Sequence, residues 1–442
     1  MMTINNSSQK ISDHVKGKLQ SFWARYSYLV IDEYSMLGKT FLAKLSNRIT
    51  IGKAMGRFGD MDQSFGNMNV ILCGDLHQFP PVATARSELL YTPALTSLKS
   101  NDAQIGRQIY DEFSSVVVLR KQMRVQDLIW HDFLQNLRFG HVQQPHLDLL
   151  RTLLIDRNPD DYSSTPWNEA ILITPRHSVQ TKWNEAALKR HCQKNNHRLF
   201  ICPAEDCVHG QLLSVQEQLA MKLRSQYQKQ RHQKDLPDEI SFAIGARVLV
   251  TQNIDVDLDV TNGASGEIVD IILHPNEPSF DESASQVRLQ YLPIYLPICL
   301  LVKMNHTCAS QLFGLEEGVI PIEPTSRTIT ICLKNPNGTT LRRSVQRRQF
   351  PMTLGWAFTD YRSQGQTIPY IIIDIAKPPS GKLNLFNLYV ALSRSHGRHS
   401  VRLLRDFDDE IFLTQHDPCL SQEDDRLQDL NDKTKIWWSQ MK

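Results

Sequence analysis

The sequence lacks any apolar run long enough to cross a bilayer, which takes about 20 residues. Its longest, Leu296 to Val302 and Ile371 to Ile375, fall far short, so no membrane partner is expected. The opening MMTINNSSQKISDHVKGKLQ has no apolar core, which excludes a secretory leader. Charge of one sign is also missing: 49 Lys and Arg face 47 Asp and Glu, a net charge of +2. Any affinity for a polyanion therefore has to come from a local groove. The eight cysteines (73, 192, 202, 207, 299, 308, 332 and 419) are too scattered for a disulfide scaffold and fit a reducing, intracellular setting. His191, Cys192, His197, Cys202, Cys207 and His209 are zinc-ligand types, but Cys-x4-Cys across a strand lacks the tight knuckle of a zinc site. There are no internal repeats. Nor is there a Gly-x-x-x-x-Gly-Lys-Ser/Thr string, the loop whose amides cradle phosphate. Gly38-Lys39-Thr40 does not qualify, because Glu33 stands where the first glycine is needed.

What is present is an ordinary globular composition, 41% apolar and 22% charged, over a length that suggests two to four domains. Short apolar runs ending in polar or glycine-containing loops predict buried parallel strands: Tyr28 to Ile31, Val70 to Cys73, Val116 to Leu119, Ala170 to Thr174, Ala246 to Thr251 and Tyr370 to Ile375. Helical periodicity over Leu37 to Ile49, Asp127 to Phe139 and Ser178 to His191 separates them. Strands alternating with helices imply an α/β parallel sheet with ligands at the strand carboxyl ends. Between about 268 and 350 the texture becomes β-rich, with turns such as Asn335-Pro336-Asn337-Gly338, and predicts a small inserted β-domain. Ser214 to Asp238 reads as a charged surface helix and loop, and the segment after Gln415 as a polar, acidic tail ending in Trp437-Trp438.

Two motifs carry chemistry. Tyr28-Leu-Val-Ile-Asp32-Glu33 delivers two adjacent carboxylates from an apolar strand. In this Walker B arrangement the first acid holds Mg2+ and the second orients and deprotonates an attacking water. Asn69-Val-Ile-Leu-Cys-Gly-Asp75-Leu-His-Gln78-Phe-Pro-Pro-Val82 fixes a glutamine between a strand and a rigid Pro-Pro turn. Such a glutamine can bond both a γ-phosphate and the water, and so report nucleotide state.

These strings resemble the PIF-like 5′-to-3′ DNA helicases of superfamily 1B, in particular the fungal copies associated with Helitron transposons. Later blocks follow in the family's order. Val118-Leu-Arg-Lys-Gln-Met-Arg124 through Gly140 resembles motif IV, with Ile171 to Arg176 and Asn184 after it. Gly245-Ala-Arg247-Val, Thr251-x-Asn253 and Thr261-Asn262-Gly263 resemble the block before the insertion. Ala357-Phe-Thr359-Asp-Tyr-Arg362-Ser363-Gln364-Gly365-Gln366-Thr367 resembles the loop joining DNA to nucleotide, and Leu388-Tyr389-Val-Ala391-Leu-Ser393-Arg394 resembles motif VI. Leu42, Lys44, Leu45, Arg48 and Ile49 loosely match the signature helix. Phe65-Gly66-Asn67 departs from Phe-Gly-Gly, and Arg362 stands where lysine is common.

The resemblance implies an α/β fold of two RecA-like P-loop NTPase lobes, the first incomplete, with a small SH3-like β-rich insertion in the second. The expected divisions are 1–115 for the first lobe, 116–267 and 351–412 for the second, 268–350 for the insertion and 413–442 for the tail. ATP and Mg2+ are the implied cofactors, with Asp32 on the metal and Glu33, Gln78, Arg124 and Arg394 catalytic. Asp32, Gln78, Arg124, Gly365, Gln366 and Arg394 would bind the cofactor. His77, Phe79, Thr174, Thr251, Asn253, Asn262, Thr359 and Arg362 would line a single-stranded DNA track. Single-stranded and forked duplex DNA are the implied partners, of a monomer in the nucleus or the mitochondrion. Roles in repair, recombination and telomere maintenance follow from the resemblance alone.

In that family the phosphate-binding strand and loop precede the position of Asp32 by more than the 31 residues present here. The first sheet is thus expected to be incomplete, part of its apolar surface exposed, and ATP turnover weak or absent, as for a truncated gene model or transposon remnant. A non-catalytic single-stranded DNA-binding module is the rival reading.

Overall fold

The computed structural model describes residues 12–441 apart from 55–59, 61, 83, 94–100, 158–164, 229–235, 282, 290–298, 335–339 and 379–382. The Asn335 to Gly338 turn thus lies outside the described residues. The first stretch carries α1 (Asp13–Trp23), β1 (Tyr28–Ile31), α2 (Lys39–Lys53), β2 (Asn69–Leu72), α3 (Asn101–Asp111), α4 (Leu128–Phe139) and α5 (Gln144–Thr152). The middle begins with β3 (Ile171–Ile173), α6 (His177–Asn195), β4 (Leu199–Pro203), β5 (Glu205–Val208), β6 (Gln211–Leu212) and α7 (Val215–Gln228). It continues with β7 (Glu239–Phe242), β8 (Arg247–Val250), β9 (Ser265–Ile272), β10 (Gln286–Arg288), β11 (Cys299–Met304) and β12 (Val319–Ile322). Then come β13 (Thr325–Lys334), β14 (Thr340–Gln349), β15 (Met352–Leu354), β16 (Ala357–Phe358) and α8 (Asp360–Ser363). The last part holds β17 (Ile371–Ile373), α9 (Leu385–Leu392), β18 (Val401–Leu403), α10 (Asp409–Phe412) and α11 (Pro418–Gln440). The chain divides into two units: 1–159 with 363–369 and 375–442, and 160–362 with 370–374.

In the first unit β1 and β2 pair in parallel, Tyr28 opposite Asn69 through Ile31 opposite Leu72. Among the described residues this sheet has two strands, and Tyr28, Val30 and Ile71 are 65%, 59% and 48% exposed. An incomplete sheet with bare apolar surface was the expectation, and this is the arrangement found. The predicted strand Val116 to Leu119 is not one: it is assigned to no strand, and Val117 and Leu119 are 73% and 90% exposed. Its alternate amides instead donate to side chains of α11, Val116 N to Thr434 Oγ1 and Val118 N to Asn431 Oδ1, both at 3.0 Å. A run of β-branched residues becomes a strand only where a neighbouring strand accepts its hydrogen bonds, and here a helix takes that place.

The core of this unit gathers Tyr34, Leu42, Ile49, Phe65, Leu76, Ile109, Tyr110 and Leu420, so α11 is a docked helix and not a solvated tail. Helix α3 crosses α2 at Gly106, where a Cβ would lie 2.0 Å from the Lys39 carbonyl oxygen. Helix α4 buries Trp130, Phe133, Leu134 and Leu137, the i, i+3, i+4, i+7 stripe of an amphipathic helix. Asp127 caps it by accepting from the amides of Ile129 and Trp130, and also accepts from Arg398 Nε at 2.6 Å. Burial pushes the Asp127 carboxyl up, but Arg398 and the helix amides outweigh this and hold it at about 2. Asp127→Ala is expected to destabilise the first unit by about 1–2 kcal/mol, read as a lower melting temperature. Because the folded pKa lies below the ordinary aspartate value, this loss is expected in full at neutral pH and should vanish as the pH falls from about 4 toward 2. A penalty that persists at the lowest pH would show that the carboxylate does not act as an ionised cap.

In the second unit β3 lies between β16 and β17, all parallel. The run Ala246 to Thr251, expected to join a parallel sheet, forms β8 of a five-stranded sheet ordered β12-β11-β9-β8-β15. Its partners β9 and β15 are both antiparallel to it. Strand β9 runs through the expected start of the insertion at 268. A second antiparallel sheet, β13-β14-β5-β6, is covered on one face by α7, which packs Met221 against Ile329, Ile331 and Val345.

Candidate active site

The carboxyl ends of β1 and β2 are laced together: Cys73 N donates to Ile31 O at 2.8 Å and Tyr34 N donates to Cys73 O at 3.1 Å. Gly74 makes the approach possible, since with φ +150° a Cβ there would sit 2.9 Å from Tyr34 N. Glu33 adopts a left-handed backbone, φ 51° and ψ 45°, a conformation that costs a non-glycine residue of order 1 kcal/mol and clusters at functional sites. Asp32 Oδ1 accepts from the Glu33 amide at 2.9 Å, and Asp32 itself is exposed. Glu33 Oε2 accepts from Gln364 Nε2 at 2.8 Å, and Gly365, at φ +78°, places the site of its absent Cβ 4.0 Å from Glu33 Oε1.

After β2, Asp75 is held by a fork from Arg138, Nη2 to Oδ1 at 2.8 Å and Nε to Oδ2 at 3.1 Å, and accepts from the His77 amide at 3.0 Å. Burial alone would raise the Asp75 carboxyl, but the Arg138 charge and hydrogen bonds, with His77, bring it below the usual range. Gln78 follows in this turn, its amide donating to Asp75 O at 2.9 Å. The side-chain oxygens of Gln78 and Gln364 are both buried without a hydrogen-bond partner. A buried unmatched acceptor costs about 1–3 kcal/mol, so these two amides suit a ligand or water able to bond them.

Arg124 donates from Nε to Thr367 Oγ1 at 2.9 Å and from Nη1 to Ser393 O at 3.2 Å. Arg394 is 2% exposed and bonds only neutral oxygens: Val390 O at 2.8 Å, Ser393 Oγ at 2.8 Å and Gln366 O at 3.4 Å. Burial, and then repulsion from Arg124, pushes the Arg394 guanidinium down to about 10. Arg124 is lowered as well, by burial above all, while Tyr389 and Glu33 oppose the shift. No carboxylate pairs with either arginine among the described residues. The two therefore form a cationic wall beside Glu33 that lacks an anion.

The structure brings Asp32, Glu33, Gln78, Arg124, Gly365, Gln366 and Arg394 together in the first unit. The DNA-track candidates are more dispersed. His77 and Phe79 are 2% and 1% exposed, and His77 Nε2 meets Asp424 Oδ2 of α11 at 2.8 Å. In the second unit Thr174 is fully buried and donates to Asp374 Oδ2 at 3.0 Å, and Thr359 is 9% exposed. Arg362 is partly buried, and burial lowers its guanidinium. Thr251 is half-buried, while Asn253 and Asn262 are exposed in one loop, Asn262 N donating to Asn253 Oδ1 at 3.0 Å. Sequence reasoning gave no role to Gln364, Arg138 or Asp424. The first stands inside the Ser-Gln-Gly-Gln string and was open to notice. Asp424 was not, because 347 residues separate it from His77.

Comparison with known proteins agrees with this geometry. Residues 3–131 match the family model described as PIF1-like helicase. The chain belongs to the PIF1-like helicases. It is 25% identical over 397 residues to the ATP-dependent DNA helicase PIF1 of Danio rerio, covering 89% of this chain and 48% of that protein. The chain thus spans about half the length of such relatives. Its fold is shared with Bacteroides Pif1 in complex with ADP-AlF3 and single-stranded DNA, at TM-score 0.59 and 20% identity over 97% of this chain and 81% of that one. It is also shared with a structure of two coordinating Pif1 helicases at forked duplex DNA, at TM-score 0.58 and 20% identity over 98% and 81%. The α/β fold with RecA-like lobes is that of these helicases.

Proposed function

We propose that this PIF1-like chain carries the water-activating and charge-stabilising part of an ATP-dependent DNA helicase. One observation carries the reading: Arg124 and Arg394, without a counter-ion, stand beside Glu33. A transferring γ-phosphoryl group supplies the charge such a wall lacks. Asp32 is the residue placed to hold Mg2+, which would neutralise phosphate charge when bound. Glu33, oriented by Gln364, accepts the proton of the attacking water. Gln78 turns its unmatched amide toward water and phosphate, and Arg394 shifts from neutral backbone oxygens to the developing charge. Arginines in this role are worth roughly 10³ to 10⁵ in rate.

Single-stranded and forked duplex DNA are the proposed substrates, as in the related complexes, and the nucleus is the proposed compartment. A structure of two coordinating Pif1 helicases gives the monomer expectation no support. The sequence contains no Gly-x-x-x-x-Gly-Lys-Ser/Thr string, so the groups that would grip the β- and γ-phosphates are lacking. ATP turnover by the chain as written is therefore expected to be too slow to measure, while single-stranded DNA binding persists without ATP and weakens with salt. The test is phosphate release with and without oligothymidylate, for the parent and Glu33→Gln. Measurable DNA-stimulated release abolished by Glu33→Gln would overturn the impairment and establish the motor. Absence of both release and salt-dependent DNA binding would remove the helicase reading for this chain.

A further inference from the structure

The β13–β14 hairpin stands apart from the chain's balanced charge. Residues 325–349 contain Arg327, Lys334, Arg342, Arg343, Arg347 and Arg348 and no acidic residue at all, while the remainder of the chain has more acids than bases. This is the local positive feature that a net charge of +2 had left unlocated.

The register sorts these residues by face. Pairing runs from Thr325 opposite Gln349 to Lys334 opposite Thr340 without a shift. Strand alternation then puts Ile329, Ile331 and Val345 on the side covered by α7, together with Arg327, Arg343 and Arg347. The other side presents Thr328, Thr330 and Cys332 on β13 and Arg342, Ser344 and Gln346 on β14, all exposed. Thr330 lies opposite Ser344, Thr328 opposite Gln346 and Cys332 opposite Arg342. Arg342 makes no ion pair among the described residues. At the far end Arg348 Nη1 meets Glu205 Oε2 at 3.2 Å, and this glutamate is only 6% exposed. The face is therefore rich in donors, carries cations at both ends and offers no free exposed carboxylate.

We propose that this outer face is an accessory site for the sugar-phosphate backbone of single-stranded DNA. Charge complementarity selects the occupant. Hydroxyl, amide and guanidinium donors are the groups that bond phosphate oxygens, and same-face residues recur about every 6.8 Å along a strand, a spacing suited to successive phosphates. No aromatic side chain lies on this face, so it supplies no stacking platform and the contact is independent of sequence. The proposal rests on the DNA-binding reading given above but requires no nucleotide hydrolysis.

The test uses the full chain, a fluorescein-labelled oligothymidylate and anisotropy across a salt series. An outer-face variant combining Thr330→Val, Arg342→Gln and Ser344→Ala is expected to lose about tenfold in affinity and to lower the salt slope by about 0.7, the value for one cation on a single strand. A variant of the covered side, Arg327→Gln with Arg343→Gln, is expected to keep both. Bound oligothymidylate should also slow maleimide labelling of Cys332 several-fold, followed by peptide mass analysis. An outer-face variant that binds with unchanged affinity and slope overturns this site and leaves the DNA reading standing. Equal losses from both variants, or labelling of Cys332 at an unchanged rate, overturn it too. A parent chain that binds no oligothymidylate overturns both readings.

Discussion

Arg347→Ala is expected to destabilise the second unit by about 3–5 kcal/mol, the cost of removing one partner from a buried ion pair. Arg347 is 5% exposed on β14 and grips Asp206 of β5 with two bonds, Nε to Oδ1 at 2.8 Å and Nη2 to Oδ2 at 2.7 Å. It also pairs with Asp238 and donates to Leu236 O at 3.2 Å. Burial opposes its charge, but Asp206 and Asp238 more than compensate and raise its pKa. Truncation leaves Asp206, itself 9% exposed, with its charge unopposed in the seam joining the hairpin to β5. Amide exchange of β5 and β14, together with the melting temperature, should report the loss. A double change, Arg347→Met with Asp206→Leu, should recover most of it, since an apolar pair of similar volume is often as stable as a buried ion pair. A loss under about 1 kcal/mol, the range of an exposed pair, in the single variant would show that the seam is solvated.

Gly106→Val is expected to cost the first unit about 3 kcal/mol or more. Two opposing effects decide its sign. Replacing a helical glycine recovers up to about 1 kcal/mol of backbone entropy. Against this, even the Cβ would lie 2.0 Å from the Lys39 carbonyl oxygen and 2.9 Å from its Cα, so the α2 backbone has to move away from α3. That backbone is anchored: Lys39 Nζ donates to Thr92 O at 2.6 Å and to Ser87 O and Thr92 Oγ1 at 3.0 Å. Helix α2 begins six residues after Glu33, so the same displacement should shift the general base. Thermal unfolding would show the destabilisation. A variant as stable as the parent would mean that the crossing relaxes freely.

Much of the candidate site was legible because its residues sit at strand ends, where local pattern is strong. An apolar run followed by Asp32-Glu33, or by Gly74-Asp75, can be read without knowing any partner. The Asp127 cap was legible for the same reason, as a short polar acceptor just before an amphipathic stripe. The misreadings have one cause. Val116 to Leu119 and Ala246 to Thr251 have the composition of buried parallel strands, yet one runs along α11 and the other joins an antiparallel sheet. Composition reports that a segment can be a strand, while the partner determines which sheet it enters and in which direction.

By itself the sequence determined the family, the order of the motifs, the carboxylate pair at the end of β1 and the lack of a phosphate-cradling string. These are local facts, carried by a few adjacent residues whose chemistry does not depend on the rest of the chain. Only the tertiary structure decided that Gln364 orients Glu33, that Arg394 is buried without a counter-ion, that Asp424 holds His77 and that the hairpin's cations divide between two faces. Each of these joins residues far apart in the chain or depends on strand register, and neither leaves a periodic trace in the sequence.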